Sequence, residues 1–118
     1  MFNLALISRS EEKLNKVRDE CALIDNKVDV KVLPIDLAYC SGERYRQIFT
    51  DDLQGKQVSM LFNNAGKANF KYSLEADPSV LELMIRLNTY PMALLSSVAY
   101  THFRKQLKVN PEQNFGLF

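Results

Sequence analysis

Short continuous apolar runs alternate along this chain with longer stretches of helical period, and that alternation restricts its fold more than any other feature. The continuous runs are Leu4–Ile7, Val58–Phe62 and a terminal Phe115-Gly116-Leu117-Phe118, with Val28–Ile35 a further apolar stretch that alternates over its first half. Runs that are continuous, rather than alternating apolar and polar, suit parallel strands covered by helices on both faces. The predicted order is β-α-β-α-β-α followed by the start of another strand. That order belongs to an α/β protein with a parallel sheet and flanking helices.

Punctuation between the runs is specific. Ser10 is placed to cap a helix with Glu11 and Glu12 at its positive end, and Leu14, Val17, Cys21 and Ile24 recur at helical spacing. Val28, Val30 and Val32 alternate with Asp29 and Lys31, and Pro34 follows, so this strand is expected near a sheet edge. Ser41 caps a helix expected from Gly42 to Leu53, with Tyr45, Ile48, Phe49 and Leu53 facing inward and Gly55 as its stop. The Val58–Phe62 run reads as a buried strand. It ends at Asn63-Asn64-Ala65-Gly66, and a polar loop with Lys67, Asn69 and Lys71 follows. Asp77-Pro78 is a strong helix start. The helix should reach about Lys108 with Val80, Met84, Leu87, Leu94, Leu95 and Val98 on its apolar face, and Pro91 predicts a kink or bulge near Leu87–Asn88.

At 118 residues the chain has the length of one domain. A net charge of +1 argues against a dedicated nucleic-acid surface. No apolar run approaches the roughly 20 residues of a membrane span, and the N-terminus lacks the pattern of a signal peptide. Cys21 and Cys40 are too few for a disulfide scaffold and are expected as free thiols of a cytosolic or cytosol-facing protein. His102 is the single histidine, so neither a histidine metal cluster nor a Ser-His-Asp triad can be assembled, and no metal site is expected.

In open α/β sheets ligands bind beyond the carboxyl ends of the strands, which makes Asn63 to Gly66 the first candidate binding edge. Asn63-Asn64-Ala65-Gly66 after an apolar strand, with Asn88 on the next helix, resembles the short-chain dehydrogenase/reductase superfamily. Leu6-Ile7-Ser8-Arg9-Ser10-Glu11-Glu12-Lys13-Leu14 resembles that family's second strand and helix. Leu33-Pro34-Ile35-Asp36-Leu37 resembles its third strand end, and Leu87-Asn88-Thr89 the segment of its catalytic asparagine. The Leu-Ile-Ser-Arg wording is closest to the 17β-hydroxysteroid dehydrogenase and very-long-chain 3-oxoacyl-CoA reductase branch.

The resemblance implies a partial Rossmann-like domain over residues 1–118, running from the family's second strand to the start of its fifth and lacking its first strand and C-terminal half. It implies a nicotinamide cofactor contacted by Ser8, Arg9, Asp36, Leu37, Asn63, Ala65 and Gly66. Ser8 stands where an acidic residue would select NAD, and Arg9 offers a guanidinium to a 2′-phosphate, so NADP(H) is expected. Asp36 matches the acid that holds the adenine amino group. Asn64 is read as structural, tying strand ends through its amide, and Gly66 as allowing close approach of the cofactor. Asn88 matches the catalytic asparagine. The implied chemistry is carbonyl/alcohol interconversion, on a 3-oxoacyl thioester or a keto-steroid, in the cytoplasm or at the cytosolic face of the endoplasmic reticulum; a homodimer is possible in the family.

Two of the family's motifs do not occur among these residues. Gly42, Gly55, Gly66 and Gly116 do not form the Thr-Gly-x-x-x-Gly-x-Gly turn that seats the pyrophosphate. The catalytic Ser and Tyr-x-x-x-Lys are also lacking; Tyr100 and Arg104 share the spacing but lie on the long helix, and their match reads as coincidence. An internal piece of a reductase, inactive as it stands, is the expectation. The alternative is a non-catalytic module that pairs through incomplete sheet edges. Without the central first strand, the second and fourth strands of the family either pair directly or leave a split sheet.

Overall fold

The structure, a computed structural model, describes residues 2–69 and 75–118. Lys71, expected in the polar loop, lies outside the described residues. The chain divides into two compact units, Met1–Leu37 and Ala38–Phe118.

The first unit is a β-α-β element. Strand β1 (Leu4–Ser8) pairs in parallel with β2 (Val30–Pro34), in a register that sets Leu4 opposite Val30 and Ser8 opposite Pro34. The ladder is extended at both ends, where the Leu4 amide donates to Asp29 O at 2.9 Å and the Ile35 amide to Ser8 O at 3.0 Å. Helix α1 (Glu11–Ile24) joins the strands and packs on β2. Ser10 caps it by accepting from the Lys13 amide at 3.4 Å.

Two expectations fail in this unit for one reason. Leu4 is 41% exposed, although its run reads as covered on both faces, and of the α1 stripe only Leu14 is buried while Ile24 is 86% exposed. The unit supplies one helix and two strands, so only one face of the sheet is covered from within it. A 14-residue helix is about 21 Å long, against about 17 Å for a five-residue strand, so its last turn overhangs the sheet.

In the second unit, Ser41 accepts from the Arg44 amide at 3.2 Å and caps α2 (Gly42–Gln47). The helix does not continue in α form to Leu53. Ile48–Asp52 is a π-helical turn, marked by the Leu53 amide donating to Ile48 O at 2.9 Å, five residues back. The inward stripe survives the change: Tyr45 and Ile48 are 1% and 0% exposed, and Phe49 and Leu53 are buried with them. Arg44 and Asp52 pair at 2.6 Å across the two turns. Gly55 ends the segment with φ +72°, in the left-handed region that favours glycine.

The Val58–Phe62 run forms a shorter strand than its composition suggests. Only β3 (Met60–Leu61) is paired, in parallel with β4 (Gly116–Leu117), and Phe62 is 64% exposed. With one two-residue neighbour among the described residues, the run has neither a second ladder nor a second cover. Its end is held instead by Phe118, whose amide donates to Leu61 O at 2.9 Å and whose carbonyl accepts from the Asn63 amide at 2.7 Å. The Phe62 and Phe118 rings stack with centroids 5.0 Å apart.

Helix α3 (Pro78–Val109) opens as the sequence indicates, with Asp77 accepting from the Ser79 amide and hydroxyl at 2.8 and 2.6 Å and Pro78 in the first turn. Those bonds hold the Asp77 carboxyl below its ordinary range. The helix runs unbroken through Pro91. Proline removes a single donor, that of the bond to Leu87 O, and the helical assignment continues past it on both sides. The buried stripe is Pro91, Leu95, Ala99 and Phe103, so Pro91 is a core residue and Leu94, expected on this face, is exposed.

Among the described residues each unit holds one two-stranded parallel sheet, β1 with β2 in the first and β3 with β4 in the second. Both cysteines are free. Among the described residues no helix is long and apolar enough to cross a membrane, and no group of three or more His, Cys, Asp or Glu is placed to hold a metal ion.

Candidate nicotinamide-cofactor residues

The first unit brings four of the sequence-predicted residues to one edge. The parallel pairing of β1 with β2 sets Ser8 opposite Pro34, so Ser8-Arg9 and Asp36-Leu37 both leave the sheet at its carboxyl end. The bond from the Ile35 amide to Ser8 O fixes the two exits side by side. Arg9 is exposed, and among the described residues no ion pair engages it. Asp36 is half-buried. Leu37 is buried.

The second unit places Asn63, Ala65 and Gly66 in the loop that leaves β3, with Ala65 and Gly66 exposed. Asn63 is the residue that ties this loop down: its Nδ2 donates to Ser96 Oγ on α3 at 3.1 Å. Asn64, read from the sequence as the structural amide, is exposed. The Oδ1 of Asn63 is buried and meets no donor among the described residues, leaving an acceptor available for a ligand group.

Asn88 grips the same loop one step further on. Its Oδ1 accepts from the Lys67 amide at 2.8 Å and its Nδ2 donates to Lys67 O at 2.9 Å. One carboxamide thus satisfies both backbone groups of Lys67, as a strand neighbour would. Gly66 is shaped by this clamp, because a Cβ there would sit 3.2 Å from Asn88 Oδ1. A side chain at this position would press on the Asn88 carboxamide, a constraint the sequence alone does not reveal.

A third amide, missed in the sequence, lies on α3 at Gln106. In the orientation that its neighbours' donors and acceptors require, Gln106 donates to Val58 O at 2.9 Å and accepts from the Val58 amide at 3.2 Å and from His102 Nε2 at 2.7 Å. His102 in turn lies against Phe49, with ring centroids 5.3 Å apart. Burial, and secondarily the charge of Lys105, hold the His102 imidazole below its ordinary value. Only the Asn88–Lys67 side of this pattern had a sequence signal, and that came through the family motif.

Tyr100 and Arg104 do not form a reaction centre. Tyr100 is exposed, and the Arg104 guanidinium carbon lies 6.0 Å from its ring centroid, a surface cation–π contact. They line a groove of about 330 Å³ with Phe103, Leu107, Phe115 and Leu117. That groove lies about 18 Å along α3 from Asn88 and contains none of the cofactor candidates.

No protein-family model matches the chain. It is 43% identical over 68 residues to the very-long-chain 3-oxoacyl-CoA reductase of Kluyveromyces lactis, a match covering 58% of this chain and 19% of the reductase. It is 31% identical over 119 residues to the enzyme of the same name from Vanderwaltozyma polyspora, covering 98% of this chain and 33% of that protein. The chain thus spans a third or less of the length of these relatives. Its fold superposes on a metagenomic short-chain oxidoreductase solved with NADP at a TM-score of 0.75 and 20% identity, covering 98% of this chain and 48% of that one. Together with the Asn63–Gly66 loop and the Asn88 segment, these likenesses make the chain a partial member of the short-chain dehydrogenase/reductase superfamily.

Proposed function

We propose that these residues are the adenosine side and part of the catalytic edge of an NADP(H)-dependent carbonyl reductase, acting on 3-oxoacyl thioesters or a related lipid-like ketone. The observation that carries this reading is the Asn88 clamp on Lys67, which holds the Asn63–Gly66 loop with its glycine pressed against the asparagine. The reductases to which the chain is similar supply the substrate class.

The residues present fit such a cofactor. Arg9, exposed and in no ion pair among the described residues, suits a 2′-phosphate, and no carboxylate precedes it at Ser8. Asp36 and the backbone of Leu37 at the neighbouring exit suit the adenine amino group. In the second unit the buried, unpartnered Asn63 Oδ1 suits a cofactor hydroxyl or amino group, and Ala65 and Gly66 present backbone with little side-chain bulk. When bound, the nicotinamide supplies the hydride that reduces a carbonyl. Asn88 belongs to the catalytic edge, keeping the loop beside it in place. Residues 1–118 form one partial nicotinamide-binding domain on this reading.

Without a glycine-rich pyrophosphate turn and a Tyr-x-x-x-Lys pair among its 118 residues, the chain by itself has no turnover. A segment exchange tests the proposal. The matching segment of the Kluyveromyces lactis reductase is replaced by this chain, and NADPH-dependent reduction of a 3-oxoacyl-CoA is measured. Retained reduction, with Arg9→Asp shifting preference toward NADH, is expected. A folded chimera that binds no NADPH contradicts the proposal.

A second reading is favoured by the two-stranded sheets: a non-catalytic module whose β1 and β3 edges pair with another chain. Co-purification of the chain with a full-length reductase, abolished by proline in β1, is its expected signature; a monomer that ignores the reductase contradicts it.

A further inference from the structure

Towards the end of α3, apolar and basic side chains are sorted into two adjoining grooves. The first, of about 330 Å³, is lined by Tyr100, Phe103, Leu107, Phe115 and Leu117 together with Arg104. Phe103 is buried and stacks on Phe115 with ring centroids 4.5 Å apart, which gives this groove an aromatic wall. Tyr100, Leu107 and Leu117 stay exposed. The second groove, of about 230 Å³, is lined by Tyr100, Thr101, Arg104, Lys105 and Lys108. Tyr100 and Arg104 belong to both, so the apolar groove and the basic one meet at these two residues.

The cations are not explained by the helix that carries them. Arg104, Lys105 and Lys108 are exposed, no carboxylate lines either groove, and among the described residues no ion pair engages any of the three. Arg104 and Lys108 are an i,i+4 pair of like charge, which weakens a helix. The macrodipole favours cations only within the last turn, where Lys108 alone lies. Arg104 and Lys105 therefore repel their neighbour without offsetting gain inside the chain, and an external anion would remove that repulsion.

The two grooves together select the ligand. A neutral apolar molecule leaves the cations unmatched, and a bare anion leaves the aromatic groove in water. Size excludes a protein surface: six residues line one groove and five the other, against about 20–30 on each side of a protein interface. A volume of about 330 Å³ falls instead at the lower end of small-molecule sites, about 300–1,000 Å³. We propose that this face of α3 binds a single-chain anionic amphiphile. Its chain lies along Phe103, Leu107, Phe115 and Leu117, and its carboxylate or phosphate meets Arg104, Lys105 and Lys108, with the forked Arg104 guanidinium at the junction. The site shares no residue with the cofactor candidates and does not depend on the function proposed above.

Titration of the purified 118-residue chain with decyl phosphate, kept below its micelle concentration and followed by amide chemical shifts, tests the proposal. Saturable binding is expected, with shifts concentrated at residues 100–108 and 115–117 and an affinity at least about tenfold above that for decanol or inorganic phosphate. Decanoate, run alongside, tells a carboxylate head from a phosphate, and binding of either supports the proposal. Replacing the three cations together (Arg104→Gln, Lys105→Gln and Lys108→Gln, all at exposed positions) should weaken decyl phosphate by about tenfold or more and leave decanol unchanged. Decyltrimethylammonium, with the same chain and the opposite charge, needs no variant and should not compete. Equal affinity for decanol or decyltrimethylammonium overturns the proposal, because the groove is then an apolar patch only. Binding seen only with micelles or with phosphatidylglycerol vesicles overturns it in favour of a membrane surface. Unchanged affinity in the folded triple variant, or no binding at all, also overturns it.

Discussion

The two sheets of this chain are both parallel pairs, yet they differ in length and in how much side chains add to them. The β1–β2 ladder aligns five residue pairs and extends past both ends, so the backbone itself fixes which residues leave together at Ser8-Arg9 and Asp36-Leu37. The β3–β4 ladder aligns two pairs, is extended by the Gly116 amide on Ser59 O and the Asn63 amide on Phe118 O, and the loop beyond it also meets side chains of α3. Candidate cofactor residues on the first sheet thus depend on hydrogen-bonded backbone, and those on the second depend on a shorter ladder together with side-chain bonds to α3. Perturbations of side chains should therefore leave the first set in place and disturb the second.

The largest expected effect is on the packing that supports the second unit. Ile48 is fully buried, and Ile48→Ala should destabilise the unit by about 2–5 kcal/mol, read as a shift of the urea midpoint without a change in the first unit's helix signal. Next comes the clamp. Gly66→Val places a branched carbon where a Cβ already lies 3.2 Å from Asn88 Oδ1, and either Gly66→Val or Asn88→Ala should cost about 1–2 kcal/mol. The double variant should cost less than the sum, since both changes break one contact; additive costs would separate Gly66 from the clamp.

Caps come third and compare the two units directly. Ser10→Ala and Ser41→Ala each remove one bond to a helix amide and should each lower stability by about 1 kcal/mol. An effect of Ser41→Ala well above that of Ser10→Ala would show that the short α2 depends on its cap more than α1 does.

The smallest effect is a pH dependence. Burial keeps the folded His102 below the ordinary 6.5, so the unfolded chain takes up a proton first as pH falls. Stability is therefore complete above about 6.5 and declines as pH drops below it toward the folded value. Denaturation midpoints of the chain and of His102→Gln, compared between pH 7.5 and 5.5 by the same linkage, should show a shallower slope in the variant. Identical slopes would remove His102 from the account.

How much of this was legible before the structure depended on how local the cause was. Ser10, Ser41 and Asp77-Pro78 cap the helices as read, and Gly55 takes the positive φ its position suggested. The Tyr45, Ile48, Phe49 and Leu53 stripe is buried as a set, because a short helix with four large apolar groups has one way to hide them. Val17, Ile24 and Phe62 have the composition of core residues, but their exposure is decided by which neighbours exist, which periodicity does not report. Pro91 reads as the site of a kink or bulge, and its place in the core of α3 depends on tertiary packing that the helical pattern does not report.

The candidate site divides the same way. Asn63, Gly66 and Asn88 were visible as a motif, and the structure adds the bonds that join the loop to α3. That Asn63 rather than Asn64 ties the loop to α3 was not visible, since adjacent asparagines are distinguished only by which one faces Ser96. Gln106 was invisible because its partner, Val58, is 48 residues away and offers only backbone. No side-chain pattern marks such a contact.

On the proposed function, this chain carries cofactor-recognition residues without enough of the site to retain the cofactor. Calorimetric titration of the purified 118-residue chain with NADPH tests it most directly. The account predicts weak binding or none, with a Kd above about 0.1 mM, because no glycine-rich turn is present to seat the pyrophosphate. Saturable binding in the low-micromolar range would contradict it.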